Sequence, residues 1–284
     1  GARSAAGGPG HVRPAVLACA AMIAAALSPV AGTDLTPWQA ALLGALQGVT
    51  EFLPISSSAH LYVLPEMLGW RYQGLAFDVA LHWGTLLALV AAFWRDWLAL
   101  GRGSLRRGTE GASARGTLAR LVVASVPAAA AGLLLEGAAE RHLRAPALQA
   151  AMLVLFGLLL WLADRAPRGR AGAAPEGRGR LPGWGTSLFV GVAQALALVP
   201  GVSRSGVTMT AGRAAGLDRV AAARFSFLLA TPITFGAGLL ELRHLSGELP
   251  PATLLAGVAS AAVVGLLAIR GLLRWLARAG FGAF

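Results

Sequence analysis

Glutamate, serine, histidine and arginine are the side chains of this sequence whose types and spacing could carry out a reaction. Glu51, Ser56, Ser57, Ser58 and His60 crowd into GALQGVTEFLPISSSAHL, Gly44 to Leu61, and Arg204 stands in PGVSRSG, Pro200 to Gly206. Four residues separate Gln47 from Glu51, so both share one helical face. Glu51, Ser57 and His60 are the parts of a phosphoryl transfer: a nucleophile or a water, a base to activate it, and a carboxylate that orients the base or helps hold a divalent cation, with Gln47 beside it. Spacing leaves open whether Ser57 or His60 is the nucleophile. A guanidinium at Arg204 can grip a phosphate or carboxylate in two places, and Gly201 and Gly206 let backbone N–H groups approach the same anion. Ser56, Ser58, Ser203, Ser205 and Thr208 are the accompanying phosphate contacts. A purely structural assignment competes, with the serines as helix caps and Arg204 paired to Glu51 in a buried salt bridge.

The flanks of both stretches are strongly apolar, and ionisable groups at membrane depth are costly enough to signal function. Of the 284 residues 56% are hydrophobic and 13% charged, and mean hydropathy is +0.64, a composition of polytopic membrane proteins rather than soluble domains. The net charge of +11 comes from arginine alone, because the chain has no lysine. These arginines lie between apolar runs, which points to lipid and topology rather than nucleic acid. Cys19 is the single cysteine and excludes an internal disulfide.

Taken in order, residues 1–34 form an extension whose apolar run, Pro14 to Ala31, reads as a retained weak span in preference to a signal peptide. Thr36 to Leu53 and Ser57 to Gly69 are each too short to cross a hydrocarbon core that needs about 20 residues. Pro54 breaks them apart, and the serines that follow can cap the second helix. Spans are expected at Leu75 to Trp94, Leu118 to Leu135 and Ala147 to Ala163, with a basic cytoplasmic loop at Arg95 to Arg120. A second basic loop, residues 165–183, divides a first repeat, 35–164, from a second, 184–284. Trp184 to Val199, the break at PGVSRSG and the arm after it restate the opening plan, with Gln194 mirroring Gln47 as a packing residue. Ala221 to Leu240 and Leu254 to Leu273 complete the spans. With both basic loops inside, the two broken pairs enter from opposite sides, which is an inverted-topology repeat with a site between its halves. Asp78 and His82 form an i, i+4 pair within a span, read as an interhelical hydrogen bond ahead of a place beside the site or a metal. Thr208 and Thr210 could line the site, although a threonine bonding back to its own helix is the commoner arrangement. Glu136, Glu140, Glu241 and Glu248 fall at solvated span ends.

QGVTEFLPISSSAHL and PGVSRSG, together with FDVALHWGTLLA at Phe77 to Ala88 and RFSFLLATPI at Arg224 to Ile233, resemble the signature stretches of the undecaprenyl-diphosphate phosphatase family, the bacitracin-resistance type of lipid pyrophosphatase. The resemblance implies an all-α polytopic enzyme with two re-entrant helix pairs, which removes the terminal phosphate of undecaprenyl diphosphate to regenerate the carrier for cell-wall synthesis. It further implies a divalent cation, Mg or Ca, a bacterial inner-membrane location with the site facing outward, and a polyprenyl diphosphate as partner, with a homodimer among the assemblies it allows. The family's catalytic positions fall on Gln47, Glu51, Ser57, His60 and Arg204. The family usually carries one more span beyond the position of Phe284, and Pro14 to Ala31 lies outside its common core. The rival class is a transporter or flippase of an anionic isoprenoid lipid, since opposed broken helices also build transporters.

Overall fold

The computed structural model describes residues 35–70, 75–143, 145–165, 182–241 and 250–284, and within these it contains only helices and turns. The apolar run at Pro14 to Ala31, Cys19, Glu248 and the second basic loop lie outside the described residues. Helix α1, Pro37–Thr50, begins where the Thr36 N–H donates to Gln39 Oε1 (2.9 Å) and Pro37 supplies a preset φ. Residues 51–55 form a run of turns around Pro54, and α2, Ser57–Met67, follows. The long helices α3 (Leu75–Ser104), α4 (Gly108–His142) and α5 (Pro146–Arg165) come next. Then α6, Trp184–Ala195, runs through a 3₁₀ turn at Leu196–Leu198 into the second break, and α7 spans Arg204–Ala214. Last are α8 (Arg219–Glu241) and α9 (Pro251–Leu276), with a terminal 3₁₀ turn at Phe281–Ala283. Five of these, in α3, α4, α5, α8 and α9, are long and apolar enough to cross a membrane.

Two expectations need correction. The basic segment Arg95 to Arg120 is not an extended loop: α3 continues to Ser104 and α4 starts at Gly108, leaving a three-residue corner. Arginine is a good helix former, and here Arg115 Nη1 donates to the carbonyls of Ser104 (2.9 Å) and Arg106 (3.1 Å), closing the corner without irregular chain. The serines of the first break are also not caps. Ser56 occupies the cap position of α2 with φ 66°, the only positive φ outside glycine among the described residues, and its side chain makes no capping bond. In the second break Ser203 does cap, accepting from the Gly206 N–H (3.1 Å).

The first break is held by close helix packing. A Cβ at Gly44 would lie 2.2 Å from the Gly257 carbonyl oxygen, and one at Gly48 would lie 2.7 Å from Gly265 N, so α1 and α9 meet backbone to backbone. Phe52, just past Glu51, packs edge-on against Phe227 of α8 (5.6 Å), which also meets Phe93 of α3 (6.1 Å). Aromatic pairs of this kind fix the depth of the first break against two spanning helices.

Away from the breaks, Asp164 at the end of α5 is a buried anchor. It accepts from Arg219 Nε (2.7 Å) and Nη2 (3.0 Å) and from the Phe281 N–H (3.0 Å), and Arg213 Nε lies 3.3 Å away. Asp164→Ala removes the carboxylate that the buried Arg213 shares with Arg219 and is expected to cost about 3–5 kcal/mol. Thermal unfolding in detergent checks this; an unchanged midpoint would remove the anchor role.

Candidate active site

Glu51 is the C-cap residue of α1, its N–H donating to the Gln47 carbonyl (2.9 Å), so the carboxylate is aimed by a finished helix rather than a loose loop. One oxygen, Oε1, pairs with Arg204 Nη2, reached from the second break 153 residues later. The other, Oε2, accepts from Ser57 Oγ (2.6 Å) and Gln47 Nε2 (3.2 Å). Arg204 is the first residue of α7, and its other arm, Nη1, donates to Thr234 Oγ1 in α8 (3.2 Å). Ser205 Oγ donates to the Leu53 carbonyl (3.1 Å), stitching one break to the other. Glu51 and Arg204 side chains are 8% and 17% exposed, a buried charge pair that borders a cavity of about 320 Å³.

Thr50, Glu51, Ser56, Ser57 and Ser58 border that cavity from the first break, and Ser203 and Arg204 border it from the second. The rest of the lining mixes apolar residues, Val79, Val202, Ile233, Ala237 and Gly238, with the polar His82, Thr234 and Glu241. The structural assignment that competed at the sequence level is half right: the salt bridge forms, yet Ser57 spends its hydroxyl on the carboxylate instead of on a cap.

Other expected contacts lie elsewhere. His60 is half-buried one turn into α2, with Nδ1 donating to the Ser56 carbonyl (2.7 Å), and it does not border the cavity. Gly201, at φ 91°, is demanded by packing, because a Cβ there would lie 2.5 Å from the Gln149 carbonyl oxygen. The Gly206 N–H is used by the Ser203 cap, Ser205 by Leu53, and Thr208 by Ser226 Oγ (2.6 Å) and the Arg204 carbonyl (2.8 Å). Thr210 bonds back to the Gly206 carbonyl (2.7 Å). These four line helix contacts, not the cavity. Gln194 is buried with both amide atoms unpaired among the described residues.

A family model described as bacitracin resistance protein BacA matches residues 40–284, from α1 through both breaks to the last residue. The chain belongs to the BacA family. Proteins named undecaprenyl-diphosphatase are similar over most of their length: one from Moorella thermoacetica is 49% identical over 254 residues, covering 88% of this chain and 93% of the relative. Those from Pelotomaculum thermopropionicum and Gemmatimonas aurantiaca are each 48% identical, over 251 and 258 residues, covering 88% of this chain and 92% and 93% of theirs. With five helices among the described residues long and apolar enough to span, this BacA-family chain is a multi-pass membrane protein.

The BacA resemblance implies a divalent cation held by Glu51 and Gln47, and the donor set does not fit a resident ion. Both Glu51 oxygens are engaged, and among the described residues no group of three or more His, Cys, Asp or Glu side chains could hold a metal. Gln47 turns its amide nitrogen to Glu51, leaving its buried Oε1 unpaired among the described residues. Hard cations take six or more oxygens, far more than these residues supply.

Besides Thr50, three polar cavity residues of this BacA-family site stand outside the candidate set. His82, expected first as an interhelical hydrogen-bond partner, borders the cavity with Nε2 3.7 Å from Glu51 Oε2. Glu241, expected at a solvated helix end, also borders the cavity. Thr234 gave no sequence signal beyond a hydroxyl two residues after Pro232, since its value comes from the approach of Arg204 across the fold.

Proposed function

We propose that the chain hydrolyses undecaprenyl diphosphate to undecaprenyl phosphate and inorganic phosphate, recycling the lipid carrier of cell-wall synthesis. The observation that carries this reading is Glu51 bonded at once to the Ser57 hydroxyl and the Arg204 guanidinium, at a cavity also lined by the apolar Val79, Val202 and Ile233. The polar groups suit a diphosphate and the apolar residues suit the start of an isoprenoid. The names of the relatives support the same substrate.

In this reading Ser57 Oγ attacks the terminal phosphorus while its proton passes to Glu51 Oε2. The bridging oxygen leaves with the electron pair of its bond, as polyprenyl phosphate, and Arg204 offsets the charge that gathers there. Ser57 opens α2, whose first N–H groups have no side-chain cap and favour an anion at that end. Proton acceptance belongs to Glu51 rather than His60, because the serine already points its hydroxyl at the carboxylate. His60 instead holds the Ser56 carbonyl and with it the strained turn. A divalent cation, Mg or Ca, would offset charge on the diphosphate and would be held chiefly by the substrate's own oxygens, since Glu51 and Gln47 supply too few.

The two broken helices are read as re-entrant halves of an inverted repeat, with the site between them. Val79 and His82 lie near the first end of α3 and Glu241 at the last end of α8, whereas Arg95, Arg102 and Arg224 lie toward the opposite ends. By the positive-inside rule the arginine-bearing ends are cytoplasmic, which opens the cavity to the outer face of the bacterial inner membrane.

Purified protein in detergent, given undecaprenyl diphosphate, releases phosphate with no gradient present, and Ser57→Ala reduces that release to background. Chelation lowers the rate, and Mg or Ca restores it. A wild-type protein that binds the lipid without releasing phosphate would instead favour the carrier of an anionic isoprenoid lipid, a reading in which the Ser57–Glu51 contact has no use.

A further inference from the structure

We infer that His82 is the proton acceptor for the water that completes the reaction, a role that rests on the serine-nucleophile reading above. The ring is pinned: Nδ1 lies 2.7 Å from the Asp78 carbonyl, which can only accept, so the Nδ1–H donates and the neutral ring carries its lone pair on Nε2. Thr85 Oγ1 donates to the His82 carbonyl (3.0 Å), fixing the helix turn beneath it. Nε2 faces Glu51 Oε2 at 3.7 Å, too far for a hydrogen bond and close enough that both atoms can reach one oxygen between them. His82 is 39% exposed and borders the cavity, whereas Glu51 is 8% exposed. The imidazole therefore stands on the wet side of the carboxylate, between it and the cavity space. His60 makes the same Nδ1 bond to the carbonyl four residues back, but it does not border the cavity. Of the two histidines among the cavity's helices, only His82 presents a lone pair to the reacting group.

After the first step Ser57 carries the phosphoryl group, Glu51 carries the serine's proton, and polyprenyl phosphate has left. A water oxygen then bonds to phosphorus while its proton passes to His82 Nε2. The Ser57 oxygen–phosphorus bond breaks, and the serine oxygen takes back its proton from Glu51 Oε2. Inorganic phosphate leaves through the cavity, and His82 returns its proton to solvent. The two half-reactions thus use different acceptors, Glu51 for the serine and His82 for the water.

The test is rapid-quench kinetics of full-length protein in detergent with undecaprenyl diphosphate, following both products, alongside mass spectrometry of Ser57. Wild type releases the two products in step. His82→Ala and His82→Gln release about one equivalent of polyprenyl phosphate per enzyme in a burst, then free inorganic phosphate about 10²–10⁴-fold more slowly, with phosphate on Ser57. Two variants guard against a folding defect, since glutamine keeps a polar side chain of similar reach. Equal slowing of both products with no phosphoserine, or unchanged rates in both variants, would overturn the assignment. Failure of the underlying reading shows separately: wild type would release no phosphate, or Ser57→Ala would retain it.

Discussion

Arg204→Ala lowers the turnover of polyprenyl diphosphate by about 10³-fold or more, and Glu51→Ala does the same. The guanidinium offsets charge that develops on the leaving phosphate, and loss of one preorganised donor of this kind typically costs 10²–10³-fold. Arg204 also ties three elements together, since its two arms reach Glu51 at the first break and Thr234 in α8. Removing it leaves the buried Glu51 carboxylate without its cation, which alters the base as well as the anion site. The two residues act as one unit, so the double variant is expected to be scarcely slower than either single one. Arg204→Lys keeps the charge but gives up the planar fork, and recovers only a small part of the rate. Additive losses in the double variant, or near-normal phosphate release from either single variant, would show that the pair is structural only.

The second large effect lies in the packing that brings Glu51 to its place. Gly48→Leu prevents the protein from reaching its native fold in detergent, and Gly48→Ala lowers the unfolding midpoint measurably. A Cβ at this position meets Gly265 N at 2.7 Å and the Ala261 carbonyl oxygen at 2.8 Å, both backbone atoms that cannot rotate away. Overpacking a tight contact costs about 1–3 kcal/mol and more where the backbone must move. Gly48 stands three residues before Glu51, so a shift of α1 against α9 also moves the carboxylate from Arg204, and activity falls further than stability alone would require. Gly101→Ala is the control, because nothing lies within 4 Å of that position. An unfolding midpoint for Gly48→Ala equal to that of Gly101→Ala would show that the α1–α9 crossing is looser than it looks.

Much of this molecule follows from residue order alone. Long apolar runs have one stable form in lipid, a helix that satisfies its own backbone, so the five long helices and the two proline breaks are written in composition and periodicity. Glu51, Ser57 and Arg204 are likewise legible, because ionisable groups between apolar flanks have few structural excuses. The chain order does not reveal which groups face the same space. His60 and His82 make the same local bond to a carbonyl four residues back, and only the way α2 and α3 pack puts one of them at the cavity. The serines of the two breaks look alike in sequence, yet Ser203 caps its helix while Ser57 turns to Glu51, since in the first break a carboxylate lies within reach and competes for the hydroxyl. Gly201 and Gly206 looked like an anion cradle, and the fold spends the first on helix contact and the second on a cap. Local rules set where the chain breaks and which groups are costly there; the meeting of the two breaks, 153 residues apart, depends on close approach at Gly44, Gly48 and Phe52, which no short-range pattern encodes.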